Sequence, residues 1–309
     1  DLPIPSSGNK EKFLDKISGA GYNINHMIGA GIFRNPGFIW FLIKSPGIAL
    51  ILWVVGGIVS LFGSLVYIEL GIRAFPRGIG EQIYIDDAFK RNLGHIFSFV
   101  AIFAIFPGSI IADSFTSARY LLYAIQGNSY DDNKIILAIV TIIMLAIVMA
   151  YQILSNKLFV YINQALALIK IMGLLIISIV GLVNLSNAGN WKTIFDKPSP
   201  DFGDYSEAMI KILFAYEDFL TNTAFITVVD HDYYVNMTNF KESFDNAIAL
   251  RFVGNNDLQK SFMSAFVAIS AFGRVGSMFF AYARIIAYAE QTRFMPKISN
   301  TFNRWHTKF

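Results

Sequence analysis

Few residues of this chain can do chemistry, and the most informative of them lie inside apolar runs. Gly29 and Gly31 flank Ala30 within Ser18–Trp40, a mostly apolar stretch long enough to enter a bilayer. Glycine weakens a helix by about 1 kcal/mol relative to alanine, so Gly29-Ala30-Gly31 is a place for the backbone to open. Opened backbone at membrane depth survives only where protein buries it or where it lines a cavity. Two readings follow: a discontinuous helix that presents N–H groups and half-helix dipoles to a solute, or two helices packing closely through small residues. Lys170 sits in a second apolar run, Ala167-Leu168-Ile169-Lys170-Ile171-Met172. A buried ammonium must pair, lose its proton or mark a path; the alternative is a lysine satisfied by nearby carbonyls. Glu217 and Asp218 are adjacent carboxylates in a third run. Neighbours on a helix point about 100° apart, so paired acid–base catalysis is not expected and the chain reads as a non-enzyme. Cysteine is absent, which excludes a thiol nucleophile and a disulfide framework. His26, His95, His231 and His306 lack zinc-type spacing, and no metal or cofactor is expected.

The elements that carry these residues are read from composition. The chain is 54% hydrophobic with only 15% charged residues and a mean hydropathy of +0.49. Soluble domains carry about 25% charged residues, so the class is an all-α polytopic membrane protein. A net charge of +3 is too small to imply a nucleic-acid partner and fits basic cytoplasmic loops. Lys10, Lys12 and Lys16 ahead of the first span favour a cytoplasmic N-terminus. After a tight Lys44-Ser45-Pro46-Gly47 turn, a second span covers about 48–71. A third apolar run covers about 95–112, with an interfacial helix continuing through Tyr120 to Ile125. Spans four to six are about 135–154, 158–185 and 209–229. Glu69, near the inner end of span two, is expected to pair with Arg73 or Arg77.

Parity then fails. Six spans return the chain to the cytoplasm near Asp230, and no window in 231–258 approaches the ~20 apolar residues a span needs. The last strong run, 261–288, would cross outward, yet Arg293, Lys297, Arg304 and Lys308 follow it. The expected division is a cytoplasmic segment 1–17, membrane helices 18–229, a polar connection 230–258, a membrane helix 259–290 and a cytoplasmic basic tail 291–309.

Gly29-Ala30-Gly31-Ile32-Phe33 followed by Pro36-Gly37 resembles the first-helix signature of the amino acid–polyamine–organocation superfamily. Leu52-Trp53-Val54-Val55-Gly56-Gly57, Tyr67-Ile68-Glu69-Leu70-Gly71, Pro76-Arg77-Gly78-Ile79-Gly80-Glu81, Phe214-Ala215-Tyr216 and Ala271-Phe272-Gly273 with Arg284 extend the likeness. It is nearest to the L-type amino acid transporter branch, especially fungal methionine permeases. The resemblance implies a LeuT-like inverted-repeat fold, here truncated to about seven membrane segments, with helix seven and helices nine to twelve not present. It implies a permease for a neutral L-amino acid such as methionine, working by alternating access in a bilayer, with the plasma membrane as the expected location. Met27, Ile28, Gly29, Ala30, Gly31 and Ile32 match the first-helix binding segment, whose N–H groups would take the carboxylate. Phe214, Ala215, Tyr216, Glu217, Asp218 and Phe219 match the sixth-helix break, where carbonyls would take the ammonium and Tyr216 or Phe219 would line the side-chain pocket. Lys170 matches a lysine that bridges the first and eighth helices in place of a sodium ion, a coupling or gating role.

Departures from the pattern are Glu217 and Asp218, where small residues are usual, and Arg274, where a small or amide-bearing residue is usual. The two carboxylates would attract a cationic substrate or the α-ammonium, or mark a relaxed site. The rival functional reading is a truncated, transport-inactive homologue acting as an amino-acid sensor or partner subunit. An accessory subunit, if any, is unidentified.

Overall fold

A computed structural model of the chain describes residues 16–74, 81–89, 91–127, 133–183, 192–214 and 257–291. Among these there is no strand, and the molecule is built of helices. The first span forms as two pieces, α1 (Lys16–Met27) and α2 (Gly31–Ile43), separated at Ile28-Gly29-Ala30. The glycines open the backbone where their helix cost predicts. α2 ends where Lys44 turns left-handed (φ 58°) and its N–H bonds the Trp40 carbonyl at 2.7 Å. Pro46, pre-set for a first helical turn, then starts α3 (Pro46–Ala74). The expected tight turn is therefore present. It is strapped by the segment around Ile194, since Gly47 N–H and Ser45 Oγ both donate to the Ile194 carbonyl, at 2.7 and 3.0 Å.

Two short helices follow, α4 (Glu81–Ala88) and α5 (Arg91–Val100). A π-helical segment, Ala101–Ile105, joins α5 to α6 (Phe106–Gln126). This corrects the sequence-based expectation of an apolar run ending near Ala112 with an interfacial helix beyond it. The stretch is one uninterrupted helical path over Asn92–Gln126, 35 residues. Its second half is enclosed: Ser114, Ser117, Tyr120 and Tyr123 are buried. The physical reason is small-residue packing. Serine and alanine on α6 let it approach a later helix closely, and Ser117 Oγ donates to the Ala268 carbonyl at 2.7 Å. Hydropathy averaged over a window does not register that face.

α7 (Lys134–Leu154) is capped by Asn133, whose Oδ1 accepts from Ile135 N–H at 3.0 Å. α8 (Asn156–Val183), α9 (Phe202–Phe214) and α10 (Asp257–Gln291) complete the described elements. The sixth expected span begins in α9, and its remainder lies outside the described residues, as does most of the polar connection 230–258.

Among the described residues, five stretches are long and apolar enough to cross a membrane: Pro46–Leu70, Asn92–Gln126, Lys134–Leu154, Lys157–Val183 and Asp257–Ala283. In the last, 61% of the most apolar window is buried, against 11–22% in the other four. Among the described helices α10 is thus the central element, and its contact with α6 is the most extensive. The core between α2, α3, α9 and α10 holds Phe33, Ile39, Trp40, Ile43, Trp53, Ile212 and Val267. Outward faces are apolar instead, with Ile58, Leu61, Phe62, Leu65 and Val66 of α3 all exposed. An apolar exterior over a polar interior layer suits a hydrocarbon solvent. At the end of α3, Glu69 pairs with Arg73 at 2.6 Å, one of its two expected partners.

Candidate functional site

The break in the first span is held from two sides by buried polar groups. α1 ends at Met27, leaving its last carbonyls without helical partners. Lys170 of α8, fully buried, donates Nζ–H to the carbonyls of Asn25 (3.2 Å) and Ile28. A cation at a helix C-terminus is where the macrodipole favours it. Behind the lysine runs a polar layer through three helices. Asn25 Nδ2 donates to the Asn163 carbonyl and to Asn163 Oδ1, at 2.5 and 3.0 Å. Ser277 Oγ donates to the same Oδ1 at 3.2 Å, and Tyr22 OH to the Ser277 carbonyl at 3.3 Å.

α10 meets the break along one stripe. Ser270, Gly273, Arg274 and Ser277 fall at spacings of three and four residues, so they share a helix face. Ser270 Oγ donates to the Gly29 carbonyl at 3.2 Å. Gly273 gives Lys170 room: an added Cβ would lie 2.8 Å from Asn25 Oδ1 and 3.3 Å from Lys170 Cε and Nζ. Lys170 thus bonds the end of α1 and lies beside Gly273 of α10. Arg274 lies against the break itself. A Cβ on Gly29 would sit 2.5 Å from Arg274 Cδ and 2.9 Å from Nη1. The charge is answered by Asp113 of α6, with Nε 3.4 Å from Oδ2.

The expected site residues therefore fall into groups. Ile28, Gly29, Ala30 and Gly31 come together with Lys170 at the break. Met27 is exposed at the end of α1, and Ile32 is buried in the core under α2. Phe214 ends α9, while Ala215, Tyr216, Glu217, Asp218 and Phe219 lie outside the described residues. His26 stacks on Tyr22, ring centroids 5.9 Å apart, beside the same break. Among the described residues no three His, Asp or Glu side chains converge as metal ligands would.

Sequence reasoning missed Asp113, Asn25, Ser270 and Ser277. A signal existed for Asp113, which is the only acidic residue between Arg91 and Gln126 in an apolar stretch; an intramembrane carboxylate is a site candidate by default. The serines carry no such signal, because serine is as often a packing residue as a donor in membrane helices.

Comparison with known proteins gives the family of the chain. Residues 18–220 match the family profile described as amino acid permease. The chain is 27% identical over 227 residues to the large neutral amino acids transporter small subunit 2 of Oryctolagus cuniculus, covering 70% of this chain and 42% of that protein. It is 26% identical over an alignment of 348 residues to the cystine/glutamate transporter of Homo sapiens, covering 98% of this chain and 68% of that protein. With the high-affinity methionine permease of Saccharomyces cerevisiae it shares 31% identity over 175 residues, 57% of this chain and 30% of that protein. The chain thus spans less than half the length of the rabbit relative and of the yeast relative.

Proposed function

The chain belongs to the amino acid permease family as an integral, multi-pass membrane protein, and from that premise we propose that it moves amino acids across the bilayer. The substrate proposed is a neutral L-amino acid such as methionine. The single observation that carries the reading is the opened backbone at Ile28-Gly29-Ala30, held by Lys170 on the Asn25 and Ile28 carbonyls. Opened backbone in a membrane belongs to a cavity or a buried site, and a discontinuous helix at mid-depth is how many secondary transporters hold a solute. The N–H groups at Gly29, Ala30 and Gly31 would take the substrate carboxylate, as helix N-termini take anions. Phe214 to Phe219 would supply the other half, with carbonyls for the ammonium and Tyr216 or Phe219 on the side chain.

In this reading the fold is LeuT-like, with about seven membrane segments in this chain, and transport proceeds by alternating access. Lys170 occupies the place of a coupling cation and transmits movement of α1 to α10. Residues 1–17 and 291–309 face the cytoplasm, 230–258 connects helix six to helix eight, and the plasma membrane is the site of action. Relatives named as transporter small subunits support an accessory subunit as a partner.

Uptake of radiolabelled L-methionine into a host lacking its own permease tests the reading. Accumulation above the empty host that is abolished by Gly31→Trp is the expected result. Uptake equal to the empty host, with the protein present in the membrane, would overturn it.

A further inference from the structure

Two cations approach the same break, and only Lys170 is accounted for by the reading above. Arg274 cannot shed its charge, and an arginine inside a membrane protein is a functional candidate by default. Its guanidinium carries five N–H donors and ordinarily meets a carboxylate through two parallel bonds. Here the bond to Asp113 is not of that kind. Nε stands 3.4 Å from Oδ2, and this buried Nε makes no hydrogen bond among the described residues. Asp113 supplies charge without a directed bond at that nitrogen. The pair is also reachable: the Arg274 and Asp113 side chains are 29% and 18% exposed, whereas Lys170 is 0% exposed. Gly29 is what admits the guanidinium, since any Cβ there would meet Cδ and Nη1 at 2.5 and 2.9 Å.

We propose that Arg274 is a carboxylate anchor of the substrate site and that Asp113 is its exchangeable internal counter-ion, an assignment resting on the transport reading above. An incoming α-carboxylate offers the exposed part of the fork the paired bonds that Asp113 does not make. Asp113, released from Arg274, then supplies the negative charge beside the carbonyls that take the ammonium, which in an α-amino acid sits one carbon from the carboxylate. The four charges alternate in sign, and the site passes from one compensated pair to two. The arrangement selects for the zwitterion: an amine without a carboxylate leaves Arg274 on Asp113, and a carboxylate without an amine strands Asp113 as an uncompensated buried charge.

The test uses the full chain in lipid nanodiscs with tritiated L-methionine as probe. L-Methioninamide, which lacks the carboxylate, and 4-(methylthio)butanoate, which lacks the ammonium, serve as competitors. Wild type is expected to release the label to unlabelled L-methionine and to neither analogue at equal concentration. Arg274→Met should weaken methionine binding about 30-fold or more, as loss of a bidentate charge-assisted contact implies. Arg274→Lys, which keeps the charge but not the fork, should weaken it about tenfold. Asp113→Asn should make 4-(methylthio)butanoate a competitor. Monodispersity on size exclusion checks folding, and the lysine and asparagine variants keep the test alive if the methionine variant does not fold. Binding within about twofold of wild type in both arginine variants would overturn the assignment and leave the transport reading standing. Uptake that rises in Arg274→Met would also overturn it, because the arginine would then be a plug. If wild type bound no amino acid, the transport reading and this assignment would fall together.

Discussion

Lys170 and Arg274 are both long cationic side chains delivered to one three-residue gap, yet their surroundings differ in kind. Lys170 reaches the carbonyl end of α1, is sealed from solvent, and spends its donors on the Asn25 and Ile28 carbonyls. Arg274 reaches Gly29 itself, keeps part of its surface open, and has a carboxylate beside it without directed bonding at Nε. The first arrangement is a joint: a charge bonded to two backbone carbonyls of fixed position. The second has a partner that can be exchanged, because both sides are charged side chains with rotamer freedom. The difference teaches that burial of a charge alone does not define its role; the nature of the partner does.

That contrast can be broken most directly at Lys170. Lys170→Met should cost about 3 kcal/mol or more, since it strips two carbonyls of a charged donor in a buried site. Thermal unfolding in detergent, followed by the fluorescence of Trp40 and Trp53, would read it, and a stable, transport-competent variant would show that the joint is dispensable. The two glycines sharpen the comparison next. Gly273→Ala drives a methyl into Asn25 Oδ1 and the lysine on the fixed side, and should destabilise by about 1–3 kcal/mol, the usual cost of overpacking. Gly29→Ala meets first the arginine side chain, which can swing away; its stability cost should stay below that of Gly273→Ala while methionine binding weakens. Equal melting temperatures for the two alanine variants would erase the distinction between a fixed and a movable cation. Smallest of all, Glu69→Gln removes an exposed pair to Arg73 and should change stability by about 0.5 kcal/mol or less. A larger loss would mean that this end of α3 is covered by something that desolvates the pair.

Much of the architecture was legible in the sequence because membrane helices announce themselves by length and apolarity. The boundaries of α3, α7, α8 and α10 fall within a few residues of the apolar runs. The run through α5 and α6 was read short because its inner half is built from serines, Tyr120 and Tyr123, which lower the hydropathy of a segment that packs on another helix instead of on lipid. Within the candidate site, the break and Lys170 stood out as local anomalies, two glycines in an apolar stretch and one lysine in another. Asp113 was as anomalous as Lys170 and was passed over. Its meaning depends on Arg274, and nothing in the spacing of the two residues links them.

By itself the sequence determined the solvent this protein lives in, the family to which it belongs and the place where the first span opens. The first rests on composition, the second on motifs such as Gly29–Phe33 with Pro36-Gly37, and the third on the backbone cost of glycine; all three are local. The tertiary structure alone decided which charges meet. Asn25 and Lys170 are separated by 145 residues, and Gly29 and Ser270 by 241. They come into contact only because α10 is wrapped by α1, α6 and α8 and presents Ser270, Gly273, Arg274 and Ser277 along one face. No periodicity within a single helix encodes the identity of the helix across from it, so the division of labour between Lys170 and Arg274 arises from packing.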